Sequence, residues 1–299
     1  MTMISRLGFI PTRKQTVKSD FLRSTKDITI IIPVKDNQSG IDLFLTEFFS
    51  IHRNNKFPKE IIIVDNNSNP KIEIVRTSFP ISVRLLHCNK VGPASARNFG
   101  VKHAQTDWIL FTDSDCVPTN NMLTGYLKAQ NGSVGYAGKI KAYKQDIFSR
   151  YYEQQDILIP PKVYELSYQS RPDYLITANC LVWRPAFEKV GGFNETFKIA
   201  GGEDIDLGFK MLNIGQLSFA FDIIVKHNFE DGLINFKKRF IRYGYGNKII
   251  SQLYDLDLKP QKFKPNKRTM INYLFAYLQF IWLKEGYKAA SKNQGLNAT

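Results

Sequence analysis

Three runs decide the fold: ITIIIPV at 28–34, EIIIVD at 60–65 and WILFT at 108–112. Each is short, apolar and rich in β-branched residues, the pattern of a strand buried on both faces of a parallel sheet. Between the first two, residues 41–51 carry Ile41, Phe44, Leu45, Phe48 and Phe49 at helical spacing. SVRLLHC at 82–88 reads as another strand. GPASARNFGVKHA at 92–104 reads as a helix that opens on Gly-Pro and carries small residues for close packing. This alternation is that of a doubly wound α/β sheet. It stops near residue 120. Beyond it the pattern predicts a strand at 174–183 (YLITANCLVW), a Gly-rich turn at 191–197, a helix at 201–215 with Ile205, Phe209 and Leu212 inward, and a strand at 217–228. Residues 255–268 read as an extended basic linker.

Composition bounds the rest. The chain has 299 residues, 43% hydrophobic and 23% charged, enough apolar content for a large core. Cys88, Cys116 and Cys180 form no CxxC spacing, which excludes a disulfide framework or zinc ribbon and fits a reducing, cytoplasmic compartment. The net charge is +14, but it is unevenly placed. Residues 1–26 carry six Lys/Arg against one acid, and 226–299 carry fourteen against five, while the middle is neutral. A neutral body with basic ends does not suit duplex binding, so no nucleic-acid partner is expected. It suits ends that approach an anionic surface such as the inner face of a membrane, or ends that are merely solvated. The longest apolar stretch, Met270 to Leu283, contains Asn272 and Gln279 and is too short to span a bilayer. It suits either an interfacial helix with Tyr273, Tyr277 and Trp282 at headgroup level, or a helix packed on the body or on another subunit of a homo-oligomer. The N-terminus shows no signal-peptide pattern.

Three of the predicted strands end in acidic or polar clusters: Pro33 to Asp36, Asp65 to Ser68, and Asp113 to Asp115. Ligands of open α/β sheets bind beyond such carboxyl ends. Asp113-Ser114-Asp115 puts two carboxylates two residues apart in a turn, where they can share Mg²⁺ or Mn²⁺ with diphosphate oxygens. No GxGxxG follows the first strand, no GxxxxGK[ST] is present, and Asp113 does not open an EF-hand loop.

The order IIPVKDN, IIIVDNNS, GPASARNFGV, FTDSDC and VGGFNETFKIAGGEDIDLGFKMLNIG resembles the inverting family 2 glycosyltransferases of GT-A fold, over roughly residues 28–228. The resemblance implies a Rossmann-like GT-A mixed sheet flanked by helices at 27–230, after a basic N-terminal segment at 1–26 and before a basic helical extension at 231–299. It implies a nucleotide-sugar donor, a UDP-sugar above all, and Mn²⁺ or Mg²⁺. Pro33, Lys35 and Asp36 fall where the first strand meets the nucleotide. Asp65 falls where the family binds uracil, with Asn67 and Ser68 beside it. Arg97 holds the place of a basic residue near the nucleotide. Asp113 would meet the ribose and the metal's water shell, Ser114 would lie between, and Asp115 would ligate the metal. Glu203-Asp204 matches the family's acidic pair, with Asp204 in the place of the catalytic base and Glu203 beside it, toward the acceptor. His227 matches a metal or diphosphate contact, and Arg242-Tyr243 a basic-aromatic pair over the diphosphate. The acceptor is a glycan, a lipid-linked group or a small molecule.

Each residue also has a plainer reading. Glu203, Asp204 and Asp206 suit the first turn of a helix through its dipole. Arg97 suits a helix surface, and His227 suits a strand end. Trp183 suits the core as well as stacking on an acceptor sugar. The first strand lacks the aromatic residue that often precedes the family's polar pair. The Q-x-x-R-W signature of processive synthases is absent, so transfer of one sugar or a few is expected. Two rivals stand beside this reading: a nucleotidyltransferase on a similar sheet, and a non-catalytic basic membrane- or nucleic-acid-binding protein with a degenerate transferase body.

Overall fold

A computed structural model describes residues 17–52, 56–75, 78–160, 162–164, 170–229 and 232–294. Most of the predicted 1–26 segment, and the predicted boundary at 230/231 between domain and C-terminal extension, lie outside these residues. The three deciding runs form β1 (Ile28–Val34), β2 (Glu60–Asp65) and β4 (Trp108–Thr112), with β3 (Ser82–His87) at one edge. They pair in parallel in the order β3-β2-β1-β4, so Val34 lies beside Asp65 and Ile31 beside Phe111.

Period-two alternation divides the strands between two cores. Ile30, Ile32, Ile61, Ile63 and Leu110 face one side, where Ile41, Phe44 and Phe48 of α1 (Gln38–Ile51) cover them. Ile31, Ile62, Val64, Ile109 and Phe111 face the other, under Ala94, Ala96 and Val101 of α2 (Pro93–His103). Asn37 starts α1 by accepting the Gly40 amide on its side chain (3.0 Å). Gly100 lets α2 sit close, because a Cβ there would press into Ile31 and Val64.

The second half of the chain forms α3 (Thr124–Lys128), α4 (Ile147–Gln154), α5 (Arg184–Lys189) and a separate pair β7 (Lys162–Tyr164) and β8 (Ser170–Pro172), and it completes a mixed sheet of eight strands among the described residues. β9 (Asn179–Trp183) runs antiparallel between β4 and β6 (Gly135–Ala142), β10 (Leu217–His227) lies parallel to β6, and β5 (Cys116–Val117) closes the edge. The strand predicted at 174–183 begins only at Asn179. Its register partner there is Thr112, the last residue of β4, so Tyr174 to Ala178 have no β4 backbone to pair with. The predicted helix at 201–215 is α6 (Glu203–Leu212).

The C-terminal part is helical. α7 (Leu233–Leu253) packs on α8 (Met270–Gln294) through Phe236, Phe240, Phe275, Trp282 and Leu283. Trp282 is therefore a core residue, and its predicted place at headgroup level is corrected: its ring lies 5.6 Å from Phe236. The two helices meet backbone to backbone. A Cβ on Gly244 would collide with Leu283, one on Gly286 with Ile241, and one on Gly246 with Gly201 in the loop before α6.

Substituting Gly100→Val should overpack the α2–sheet contact and destabilise by about 1–3 kcal/mol. Calorimetry should show this as a lowered melting temperature with an unchanged far-UV dichroism spectrum.

Candidate active site

The strand order 3-2-1-4 reverses between β1 and β4, and ligands of open α/β sheets lie beyond the strand ends at such a point. A cavity of about 480 Å³ opens there. Pro33 to Lys35 from the end of β1 and Asp113 to Asp115 from the end of β4 line it, with Asn66, Gly92 and Pro93 along one side. Glu203 and Asp204 at the start of α6 and His227 at the end of β10 face the same space. Arg239, Arg242, Tyr243 and Asn247 of α7 supply a further wall. The extension that the sequence sets apart is thus part of the cavity.

Arg97 organises this site from beneath. Its guanidinium is buried, and it donates to Asp113 Oδ1 at 2.7 Å and to Glu203 Oε1 at 3.1 Å. Burial pushes its pKa down, but the charges of Asp113 and Glu203 outweigh that and keep it cationic. Glu203 Oε2 accepts the Gly201 amide at 2.7 Å, so both oxygens of that carboxylate hold structure. Asp204 differs. Its Oδ1 accepts the Ile205 amide at 2.9 Å, and the residue lines the cavity. Burial, then the neighbouring Glu203 charge, push the Asp204 pKa up to about 7, partly offset by Arg97. The two adjacent acids thus sit in different surroundings.

The Asp113–Asp115 turn is fixed by backbone. The Cys116 amide donates to Asp113 O (3.1 Å) and the Asn228 amide to Asp115 O (2.7 Å), which ties the turn to the end of β10. Asp115 Oδ1 then lies 3.3 Å from His227 Nε2. The His227 ring stacks on Phe229 with centroids 4.3 Å apart. Asp115, His227 and the Cys116 thiol lie within 4.8 Å of one another. Burial, reinforced by Asp115 and Asp113, pushes the Cys116 thiol pKa well up, and a soft sulfur donor suits Mn²⁺ or Mg²⁺ less well than oxygen or imidazole. Asp115 and His227 remain as an oxygen and an imidazole donor, a set that fits a divalent cation such as Mn²⁺ whose other positions are filled by ligand oxygens and water.

Several predicted contacts lie behind the cavity wall. Asp65 is buried and absent from the lining; its Oδ1 accepts the Ser68 amide at 3.0 Å, and its Oδ2 lies 3.3 Å from His87 Nδ1. Burial raises its pKa, but hydrogen bonds from Ser68, Ile72 and His87 win and hold the carboxyl below its usual range. Asp36, at φ 53°, accepts the Asn69 amide, and Asn67, at φ 64°, donates to Cys88 O and Asn89 O. These residues brace the loops. Asn66 instead reaches the cavity while its side chain fixes the 88–92 turn through Cys88 O, Lys90 O and the Gly92 amide. Trp183 pairs in register with Trp108 at the start of β4, the far end from the site, so its place as an acceptor platform is corrected. Ser114 lines the cavity and accepts from Asn37 Nδ2 at 3.1 Å. Sequence reading missed Asn66, Tyr174, Lys198, Arg239 and Asn247. Two of them had a signal: positions 239, 242, 243 and 247 share one face of a helix.

A family model described as Glycosyl transferase family 2 matches residues 29–191, more than half of the chain, and a second, N-terminal domain of galactosyltransferase, matches 162–227. The chain belongs to glycosyl transferase family 2, and its sheet is that of the GT-A fold. A pre-mycofactocin glycosyltransferase of Mycobacterium tuberculosis is 28% identical over 241 residues, covering 74% of this chain and 47% of its own length. An uncharacterised glycosyltransferase of Rickettsia typhi is 24% identical, covering 68% of this chain and 64% of its own. The chain spans about half the length of the first of these relatives. Among solved structures, a mannosyltransferase from Pyrobaculum calidifontis in complex with GDP-Man and Mn²⁺ superposes at TM-score 0.55, with 15% identity over 93% of this chain and 78% of its own. GalNAc-T7 with UDP, GalNAc and Mn²⁺ superposes at 0.51, with 13% identity over 88% and 57%.

Arg97→Met would leave Asp113 and Glu203 as uncompensated charges and should cost about 3–5 kcal/mol, measured by denaturant unfolding. Asp204→Asn should act in the opposite direction. The folded protein holds the Asp204 proton up to about pH 7, whereas the unfolded chain releases it near 3.8. Wild-type stability therefore falls as pH rises through that window. The Asn variant should melt higher than wild type at pH 8, and the gain should vanish near pH 4.

Proposed function

We propose that this chain is a metal-dependent, inverting, non-processive glycosyltransferase. It moves a sugar from a nucleoside-diphosphate donor, a UDP-sugar first among them, to an acceptor hydroxyl. The observation that carries the reading is the division of labour at the start of α6: Glu203 is spent on Arg97 and Gly201, while Asp204 lines the cavity and holds a raised pKa.

Inversion requires one in-line displacement at the anomeric carbon, with a base for the acceptor proton on the face away from the leaving group. Asp204 Oδ2 takes that proton. A base tuned near neutrality is ionised when the acceptor arrives, yet strong enough to accept the proton. The nucleoside lies along Pro33, Lys35 and Asn66, with Asp65, Asp36 and Asn67 bracing those loops from behind. Asp113 and Ser114 meet the ribose side, and the N-terminus of α2 at Gly92-Pro93 favours negative charge. Arg242 and its neighbour Arg239 hold the diphosphate from the α7 wall. A divalent cation held by Asp115 and His227 would neutralise charge that develops on the departing diphosphate. The donors GDP-Man and UDP in the two structural neighbours with Mn²⁺ support the donor class. The acceptor lies toward Glu203 and Tyr174.

The test is a panel of nucleotide sugars in thermal-shift and transfer assays. Donor with Mn²⁺ should stabilise the protein more than either alone, and Asp115→Ala and His227→Ala should each remove that synergy. Asp204→Asn should keep the donor shift and lower transfer by at least about 100-fold; normal turnover in that variant would overturn the assignment. The wild-type rate should rise with pH and level off above about 7.

A further inference from the structure

The first half of α8 is built inside out. Its two polar side chains point into the protein. Asn272 donates to Gln154 Oε1 at 2.7 Å and to Lys267 O at 2.8 Å, and Gln279 accepts from Tyr151 at 2.7 Å. Both are almost fully buried. Its apolar residues point out: Met270 is 92% exposed, Tyr277 53% and Leu274 52%, with Tyr273 and Ile281 on the same face. The positions recur at three- and four-residue steps, so they form one stripe rather than scattered exposures. The opposite face is already used, because Phe275, Trp282 and Leu283 pack on α7. Tyr151 and Gln154 meet the same inward side, so among the described residues α8 is covered on one side only. Leu233 and Ile234 at the start of α7 are exposed as well.

Charge identifies the second partner. From residue 259 to 291 the chain carries seven Lys/Arg and one acid, Glu285. That acid lies 3.9 Å from Lys237. Lys267 and Arg268 precede the stripe and Lys284 and Lys288 follow it, all exposed. An apolar stripe between cationic ends matches an anionic lipid surface, where acyl chains take the stripe, phosphates meet the cations, and tyrosine rings sit between. A second copy of the chain would set these cations against their own kind. No described helix is long and apolar enough to cross a membrane.

We infer that the outward face of α8 docks this protein on an anionic lipid bilayer, lying in the interface without crossing it. Because α7 also walls the cavity, docking would hold the cavity beside the lipid surface.

The test is co-sedimentation of the full chain with vesicles of phosphatidylcholine alone and of equimolar phosphatidylcholine and phosphatidylglycerol. The wild type should sediment with the mixed vesicles, and salt should weaken binding. Leu274→Glu with Tyr277→Glu should weaken it at least about tenfold, with the melting curve and the donor-induced thermal shift unchanged. Lys267→Glu with Arg268→Glu should weaken binding to mixed vesicles in the same sense. Failure of the wild type to sediment would overturn the proposal. So would undiminished binding of the Leu274/Tyr277 variant, which would assign binding to the basic termini. A lipid-free dimer that the same variant converts to monomer would show that a second copy covers the stripe.

Discussion

One buried cation holds the site together. Arg97 is placed by α2, which sits close to the sheet because its residues are small. From there the guanidinium reaches the turn after β4 and the start of α6 at once. These segments are far apart in sequence: 16 residues separate Arg97 from Asp113 and 106 separate it from Glu203. An isolated buried guanidinium would be costly, and two carboxylates drawn together without it would repel. Each group is therefore tolerable only in the presence of the others. The arrangement fixes where Asp204 stands, because Asp204 is the next residue along a helix whose first carboxylate is anchored.

The same constraint separates two neighbouring acids that look equivalent on paper. Glu203 meets a cation and a backbone amide and is used up as structure. Asp204 gives an oxygen to a backbone amide and lines the cavity, in surroundings that disfavour its charge. Groups tuned in this way cluster where proton transfer occurs. Their cost is carried by the surrounding fold, which here consists of two well-filled cores on either face of the sheet.

Much of this was legible in the chain. β-branched runs with no polar alternation can only be strands covered on both faces, and they gave the parallel half of the sheet and its direction. The polar residues after β1, β2 and β4 followed from that direction. What stayed hidden were relations across sequence. Nothing local distinguishes Asp65, which closes its own loop through Ser68 and Ile72, from an acid that faces a ligand. Nothing local says that Trp183 falls at the wrong end of β9, since that depends on the register with β4. β6, with glycines at both Gly135 and Gly138, has a weak strand pattern and owes its place to neighbours β9 and β10. Arg239 and Asn247 were findable from helical spacing once α7 was known to face the cavity.

The glycine contacts of α7 give the molecule a stiff spine. At Gly244, Gly286 and Gly246 main chain rests on main chain, with no side chain between to swing or compress. Joints of this kind have little slack. The contacts run from α8 to α7 and on to the loop that carries Gly201, where Glu203 is tethered. The last helix and the loop that tethers the acid at the heart of the cavity are thereby joined through main-chain contacts alone.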